Sequence, residues 1–500
     1  MSRKNNPIII GAAQFTQRKG TPHPLDSLGL MVKTGKEAIQ DTLAKNIVNF
    51  IDAIYMVNIW SWSYEDAPGE LANELNITPK EKIYLPDGGQ GPQMLVNRAA
   101  KAISSGELQC ILITGGEAAY SINKTYKGKR PQHWPKRKTP KYVSGDQWIV
   151  HEIDMKYGLL FPSLNYAIFE TALRASSGRN LEEHQHYIGE LFARFSKVAS
   201  ENPFSWTQKS YSPEGIITPS SENRRIVYPY TKRMCANNFV DQAGTIIITS
   251  EDIAESLNID KKNWVYIMGG ADLENIHEFY RRPKFDDSPA TREGSRLALE
   301  QAGLTINEID KFDLYSCFPS IVEIFMKELG INDDDPRDLT LTGGLPFFGS
   351  PLNNYSLHAI INTVDVIRSN PSLKIMVIAN GGYNTKQSIG IYSTNPPMIP
   401  WDIQNEAKIQ ESILKEALPD LVDQSNGIFT VEGYSVIYSR SGEPERGIFI
   451  GTLESGKRTL AIVKKGSKLL LTLENQELVG RSFTIQYDST TDRNIVISMD

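Results

Sequence analysis

Apolar residues over the first 120 positions fall into two alternating rhythms. Short β-branched runs at Pro7–Phe15, Ile51–Trp60 and Gln109–Thr114 read as strands. Between them apolar side chains recur at helical spacing, as Leu95, Ala99 and Ile103 do at i, i+4 and i+8 within Pro92–Ser105. Such alternation predicts α/β layers around a largely parallel sheet. The rhythm breaks over 121–230, which is richer in Pro, Lys, Ser and aromatics and carries helical patterns at Tyr166–Ser176 and Glu182–Ser200. That stretch is expected to be a large insertion over one face of the core. From Val240 the α/β rhythm resumes, through Thr245–Thr249, Val265–Gly269, Pro289–Ala302, Phe312–Phe318, Ser320–Leu329, Tyr355–Arg368 and Lys374–Ala379.

Two stretches share one order of signals. The first runs from the turn Gly88-Gly89-Gln90-Gly91-Pro92 through a helix to an apolar strand ending in Gly115-Gly116. The second runs from Gly343-Gly344 and Gly349-Ser350-Pro351 through a helix to an apolar strand ending in Gly381-Gly382. This internal duplication predicts a pseudo-twofold core with a cleft between its halves, a common place for a ligand. After Pro396-Pro397 a linker helix is expected near Gln404–Leu418, stopped by Pro419. Short strands at Gly427–Tyr438, Arg446–Leu453, Thr459–Val463, Lys468–Glu474 and Ile495–Met499 then predict a small all-β domain, a barrel. The expected division is 1–120 with 231–255, an insertion at 121–230, a second half at 256–398, a linker at 399–424 and the β domain at 425–500.

A chain of 500 residues is too long for one core. Its 53 basic and 59 acidic residues leave a net charge of −6, so no global field draws it to nucleic acid or to a membrane surface. No run approaches the roughly 20 apolar residues needed to span a bilayer, and membrane insertion is not expected. Three cysteines cannot frame a disulfide scaffold, which fits a reducing compartment, and the cytoplasm is the expected location. They lack CxxC or Cys/His spacing, so no metal site is expected.

Five words carry a family resemblance: PDGGQGPQMLVNRAAKAISSGE with the following CILITGGEA, NRRIVYPYTKRMCANNFVDQAG, DLYSCFPS, GGLPFFGSPLNNYSLHA and ANGGY. In this order they resemble the thiolase superfamily, and more narrowly acetyl-CoA acetyltransferase-like proteins with an additional C-terminal domain. The resemblance covers essentially the whole chain. It implies two βαβαβαββ halves in a five-layered α/β/α/β/α core, with a loop domain over the active site. It implies a coenzyme A thioester as ligand or substrate, without a covalently bound cofactor. It also implies a homodimer or tetramer, unless the added domain covers that interface.

Thiolase chemistry uses a cysteine at a helix N-terminus, a histidine in a GHP turn, a second cysteine and two oxyanion holes. By the resemblance, the nucleophile position falls at Gly89 or Gln90, and neither side chain can form an acyl-enzyme. The GHP turn reads Gly349-Ser350-Pro351, with a serine in the histidine's place and His358 two helical turns later. Asn380, Gly381 and Gly382 stand where the late cysteine belongs. The segment Asp313–Phe318 matches the NEAF or HDCF position, which makes Cys317 a proton-transfer candidate with Tyr315 in place of the motif's histidine. Plain alternatives stay open: Cys317 as a small buried hydrophobe on an apolar strand, Tyr315 as a buried tyrosine with a satisfied hydroxyl, and His358 as a packed or capping residue. Cys110 and Cys235 read as core residues, and His277 as either cleft lining or surface.

Gly88 through Gly91 expose backbone N–H groups at a helix start, which suits a thioester oxygen or an anion. With Asn380, Gly381, Gly382 and His358 they form the expected substrate-binding set. Residues 124–141 hold eight basic side chains and no acid. They read either as a solvated loop or as a cradle for CoA phosphates, with Lys129, Arg130, Lys136, Arg137 and Lys138 as its candidates. The run Asp333-Asp334-Asp335 reads as an exposed turn.

Three functions fit: an acyl-CoA or CoA binding protein with little condensing activity; a lyase breaking a C–C bond beside an acyl-CoA by retro-aldol chemistry with Tyr315 and Cys317; and an acetyl-CoA acetyltransferase, which the missing Cys and His oppose. The lyase reading brings a small partner protein with it, by analogy to thiolase-like aldolases.

Overall fold

The Pro7–Thr16 strand, apolar at most positions, lies at the centre of a nine-stranded sheet. The computed structural model describes residues 5–142, 151–401 and 406–499, so positions 404–405 of the expected linker helix lie outside it; the described part of that helix is Glu406–Leu414. From one edge the strand order is Glu81–Tyr84, Ala53–Met56, Cys110–Ala118, Asp241–Ser250, Pro7–Thr16, Val265–Glu274, Lys386–Ser393, Ile375–Gly381 and Lys311–Leu314. The halves join where Ile8 and Ile9 pair with Tyr266 and Val265. At the far edge Phe312 and Leu314 donate to the carbonyls of Asp338 and Leu339, so an irregular segment covers that edge.

The helix Gly91–Ser105 precedes the Cys110–Ala118 strand just as Tyr355–Ser369 precedes Ile375–Gly381. The buried faces of these two helices, including Leu95, Ala99, Ile103, Leu357, Ile360 and Val364, share one core with Ile111, Ile246, Ile267 and Val377. They form the middle layer of the expected α/β/α/β/α core. The helices Ser27–Asp41 and Ala67–Leu75 cover one outer face, and Pro289–Ala302 and Pro319–Leu329 the other.

Three expectations need correction. The sheet is mostly antiparallel: only Ala53–Met56 with each neighbour, and Lys311–Leu314 with Ile375–Gly381, pair in parallel. Residues 382–385 between Ile375–Gly381 and Lys386–Ser393 are too few for a crossover, and so force an antiparallel return. The strand expected over Phe312–Phe318 ends at Leu314. Phe318 is extended because it precedes Pro319, which opens the next helix at its first position. Cys317 therefore sits in a strand–helix turn, not on a strand. Finally, Lys468–Glu474 holds a short 3₁₀ turn, Leu469–Leu471, and the strand lies later, at Ser482–Asp488. Leu470 and Leu473 are buried while Leu471 is exposed, a spacing of three where a strand needs two.

The C-terminal strands Gly427–Tyr438, Pro444–Leu453, Arg458–Val463, Ser482–Asp488 and Arg493–Met499 close into a small barrel. The pairing of the first two strands seals it. Its interior holds Phe429, Tyr434, Phe449 and Phe483. The insertion adds two short strands, Arg225–Val227 and Tyr230–Thr231, to the same sheet through Val227 and Ile437. It also packs its Pro162–Ser177 helix on the barrel, where Thr171 Oγ1 accepts from the Tyr434 N–H at 3.0 Å. There Arg174, 2% exposed, makes paired hydrogen bonds of 2.7 and 2.8 Å to Glu477. Among the described residues no helix is long and apolar enough to cross a membrane.

Candidate functional site

The turn before helix Gly91–Ser105 and the ends of strands Lys311–Leu314 and Ile375–Gly381 converge on the floor of a cleft of about 1360 Å³. Gly88, Gly89, Tyr315, Cys317, Ser350, Asn380, Gly381 and Gly382 all line it. Buried Asp313 braces the approach: its Oδ2 accepts from the N–H groups of Leu341 at 2.8 Å and Thr342 at 3.0 Å. Tyr315 then donates its N–H to Ile378 O at 3.0 Å and sets its ring edge-on to Tyr355. Burial pushes both the Tyr315 phenol and the Cys317 thiol well up. Both therefore keep their protons near neutral pH.

Gly89 has no room for a side chain. A Cβ there would lie 2.5 Å from the Tyr315 hydroxyl oxygen and 2.6 Å from the Asn380 carbonyl oxygen. At Gly381 a Cβ would meet the Gln90 Oε1 at 1.9 Å. The Gly88 N–H is held by Asn353 Oδ1 at 2.9 Å. Among the described residues no hydrogen bond is formed by the Gly89 N–H, which faces the floor beside Gly381.

Not every expected residue reaches this floor. His358 is fully buried, with Nδ1 donating to Gln14 Oε1 at 2.9 Å and Nε2 accepting from Asn354 at 3.3 Å. Burial lowers its pKa to about 3, so it is a neutral packing residue and not a substrate ligand. Gly91 spends its N–H on Gly88 O at 2.9 Å, and Gln90 packs its amide against Gly381 instead of lining the cleft. None of Lys129, Arg130, Lys136, Arg137 and Lys138 lines the cleft either. Arg130 bonds Trp134 O at 2.6 Å, Arg137 lies over the Trp62 ring, and Lys138 pairs with Glu70 at 3.8 Å. Cys110 is a fully buried strand residue, whereas Cys235, read as structural, lines the cleft, as does His277.

The Lys and Arg side chains the cleft does present come from separated segments: Lys19, Lys124, Lys209, Lys232, Arg233 and Lys386. Several stand on aromatic rings, Lys19 on Tyr120 and Trp206, Lys124 on Phe239, and Arg233 on Tyr211. Of these, sequence reasoning noted only Lys124, as part of the basic run 124–141; the others come together only in space. It also missed Tyr166, which reaches the floor from the insertion. Its hydroxyl accepts from Asn380 Nδ2 at 2.7 Å and the Asn384 N–H at 2.9 Å, and donates to Gly382 O at 3.0 Å. Away from the cleft, Glu170, His184 and Glu323 bring ligand-type atoms within 4.8 Å of one another. Arg179 Nη1 lies 3.4 Å from Glu323 Oε2, so this buried cluster carries its own counter-charge.

Residues 408–490 match the family described as the thiolase-like protein type 1 additional C-terminal domain. A 3-ketoacyl-CoA thiolase of Aeromonas hydrophila is 28% identical over 143 residues, 28% of this chain and 35% of that protein. The match thus spans about a third of that relative's length. Among solved structures, a monomeric SCP2-thiolase-like protein type 1 from Mycobacterium smegmatis superposes with a TM-score of 0.84 at 30% identity, covering 100% of both chains. An Ltp2–ChsH2(DUF35) aldolase gives a TM-score of 0.60 at 17% identity, covering 78% of this chain and 98% of that one. Human mitochondrial 3-ketoacyl-CoA thiolase in complex with CoA gives 0.55 at 15%, with the same coverage. With its duplicated layers, its cleft and a relative matched from end to end, this chain belongs to the thiolase superfamily.

Proposed function

We propose that this chain binds a coenzyme A thioester in the cleft and acts on it, if at all, without an acyl-enzyme. One observation carries the reading. The space a side chain at Gly89 would need is taken by the Tyr315 hydroxyl and the Asn380 carbonyl. A nucleophile from that helix start therefore has no place to stand, and Gln90 is turned away against Gly381. The bound CoA of the human thiolase neighbour supports the ligand class. The ring-mounted cations at the mouth suit adenine and phosphates, since cations and aromatic faces serve both. The free Gly89 N–H suits the thioester oxygen.

Calorimetry with CoA and acetyl-CoA tests this reading, with intact-mass spectrometry after incubation with acetyl-CoA. Binding without a mass adduct is expected. No heat with either ligand would end the proposal, and an acetyl adduct would revive the acetyltransferase.

A second reading, a lyase for the C–C bond beside the thioester, is favoured by Tyr315 itself. Burial keeps this phenol protonated at the floor, where an enolate would need a proton. Cys317 lines the same floor as a further proton donor. The Ltp2–ChsH2(DUF35) aldolase neighbour is the ground for retaining a small partner protein in this reading.

A further inference from the structure

Asp87 lines the cleft immediately before the Gly88–Gly89 turn, and its carboxylate is held in an unusual way. Every hydrogen bond it accepts goes to one oxygen. Trp60 Nε1 donates to Oδ1 at 2.6 Å, Asn58 Nδ2 donates to the same atom, and Asn353 Nδ2 reaches it at 3.4 Å. These donors are themselves fixed. Asn353 accepts the Gly88 N–H, Asn58 accepts from the Tyr142 hydroxyl at 3.0 Å, and the Trp60 N–H is anchored by Glu117 at 2.8 Å. All three donors are neutral N–H groups, from one indole and two amides. Among the described residues no hydrogen bond or ion pair reaches Oδ2. Three donors on Oδ1 fix the carboxylate, which leaves its twin as a held acceptor on a residue that lines the cleft.

We propose that Asp87 Oδ2 accepts a hydrogen bond from a hydroxyl group on the acyl chain, making the preferred ligand a 3-hydroxyacyl thioester. This rests on the thioester reading above. Asp87 is two residues from Gly89, within about 7 Å along the backbone. That is the reach of a group two or three bonds beyond a carbonyl held at the Gly89 N–H. Trp60 and Leu352 line the wall beside the acid, and the Asn353 amide there is already directed to Asp87 Oδ1. An acyl chain lacking the hydroxyl would leave the carboxylate facing apolar substrate, which is unfavourable.

In the lyase reading the same contact supplies the base that Tyr315 cannot be. Asp87 takes the hydroxyl proton as the oxygen forms a carbonyl. The bond between the hydroxyl-bearing carbon and the α-carbon breaks, and its electron pair becomes the thioester enolate. Tyr315 gives its proton to the α-carbon, and the proton held on Asp87 returns to the phenolate. The products are a carbonyl compound and the shortened acyl-CoA, with no oxidant or reductant needed.

Calorimetry on the full chain with CoA, butyryl-CoA and 3-hydroxybutyryl-CoA tests the inference. The wild type is expected to bind the hydroxy thioester at least about tenfold tighter than butyryl-CoA, as a hydrogen bond to a charged group allows. Asp87→Asn is expected to bring that ratio near one. Equal affinities in the wild type, or an undiminished preference in Asp87→Asn, overturn the role of Asp87 while leaving CoA binding intact. Silence with all three ligands is a different failure, that of the thioester reading, and it takes the inference with it. The wild-type comparison needs no variant, so it decides the matter even if Asp87→Asn does not fold.

Discussion

Replacing Gly89 by alanine adds one methyl group at the place where a thiolase nucleophile would project. The methyl carbon would lie 2.5 Å from the Tyr315 oxygen, 3.0 Å from its Cζ and 2.6 Å from the Asn380 carbonyl oxygen. Neither neighbour gives way easily. Asn380 is inside a strand, in register with Gln387, and its side chain is held by Tyr166. The Tyr315 ring is set against Tyr355, and its backbone is tied to Ile378. Overpacking of this kind costs about 1–3 kcal/mol, and the rigid carbonyl places this case toward the upper end. Urea unfolding of Gly89→Ala in the wild-type and Tyr315→Phe backgrounds measures it. The phenylalanine removes the hydroxyl contact and leaves those to Cζ and Asn380, so the penalty should shrink by roughly 0.5–1.5 kcal/mol without vanishing. A Gly89→Ala variant within about 0.5 kcal/mol of wild type would refute the reasoning, because the floor would then have room for a side chain. Gly89→Cys incubated with acetyl-CoA should likewise show no acetyl adduct by mass.

Two further outcomes follow from buried charge. Burial raises the Glu117 carboxyl from 4.5 to about 7. Between those values the folded chain holds a proton that the unfolded chain has released, so this group's contribution to stability falls as pH rises through that window, by up to about 3 kcal/mol. Unfolding measured at several pH values should give a flatter profile for Glu117→Gln than for wild type, and parallel profiles would refute the assignment. Glu477→Gln leaves the Arg174 guanidinium buried beside the barrel without its counter-charge, and should cost about 3 kcal/mol, the low end for a broken buried pair because Glu477 is partly exposed. Urea unfolding checks this, and a change below about 0.5 kcal/mol would show that the pair does not hold the barrel to the insertion.

What could be read in advance followed local chemistry. The β-branched runs at 110–114 and 375–379 are strands because their side chains fit a sheet buried on both faces. The glycine turns at Gly88–Gly91 and Gly343–Gly344 exposed the duplication, since such turns require particular residues. Strand direction was less legible, because it depends on how many residues connect neighbours: four between Gly381 and Lys386 fix a hairpin that apolar content cannot reveal. The turn carrying Cys317 was hidden by an apolar run, although Pro319 was a signal that the strand must stop. Of the two readings of residues 124–141, the solvated loop fits the exposed Lys129–Lys138 better than the cradle, since density in sequence is not density in space. Lys129 through Lys138 lie on an exposed segment, whereas Lys19, Lys124 and Arg233 meet only once the insertion folds back. Tyr166 gave no local sign of reaching Asn380, more than two hundred residues away.

The strand that the insertion lends to the barrel also orders events during synthesis. Val227 pairs at once with Tyr230 but must wait for Ile437, 210 residues later, before its partner on the barrel side exists. At ribosomal speeds that delay is on the order of 10–40 s. Throughout it, the apolar surface around Ile168, Phe169 and Phe285, later covered by Ile448, Ile450 and Leu460, stays bare. A nascent chain of this protein therefore emerges with an unpaired edge beside a greasy face, and messages or proteolytic products that stop short of the barrel leave both permanently open to aggregation.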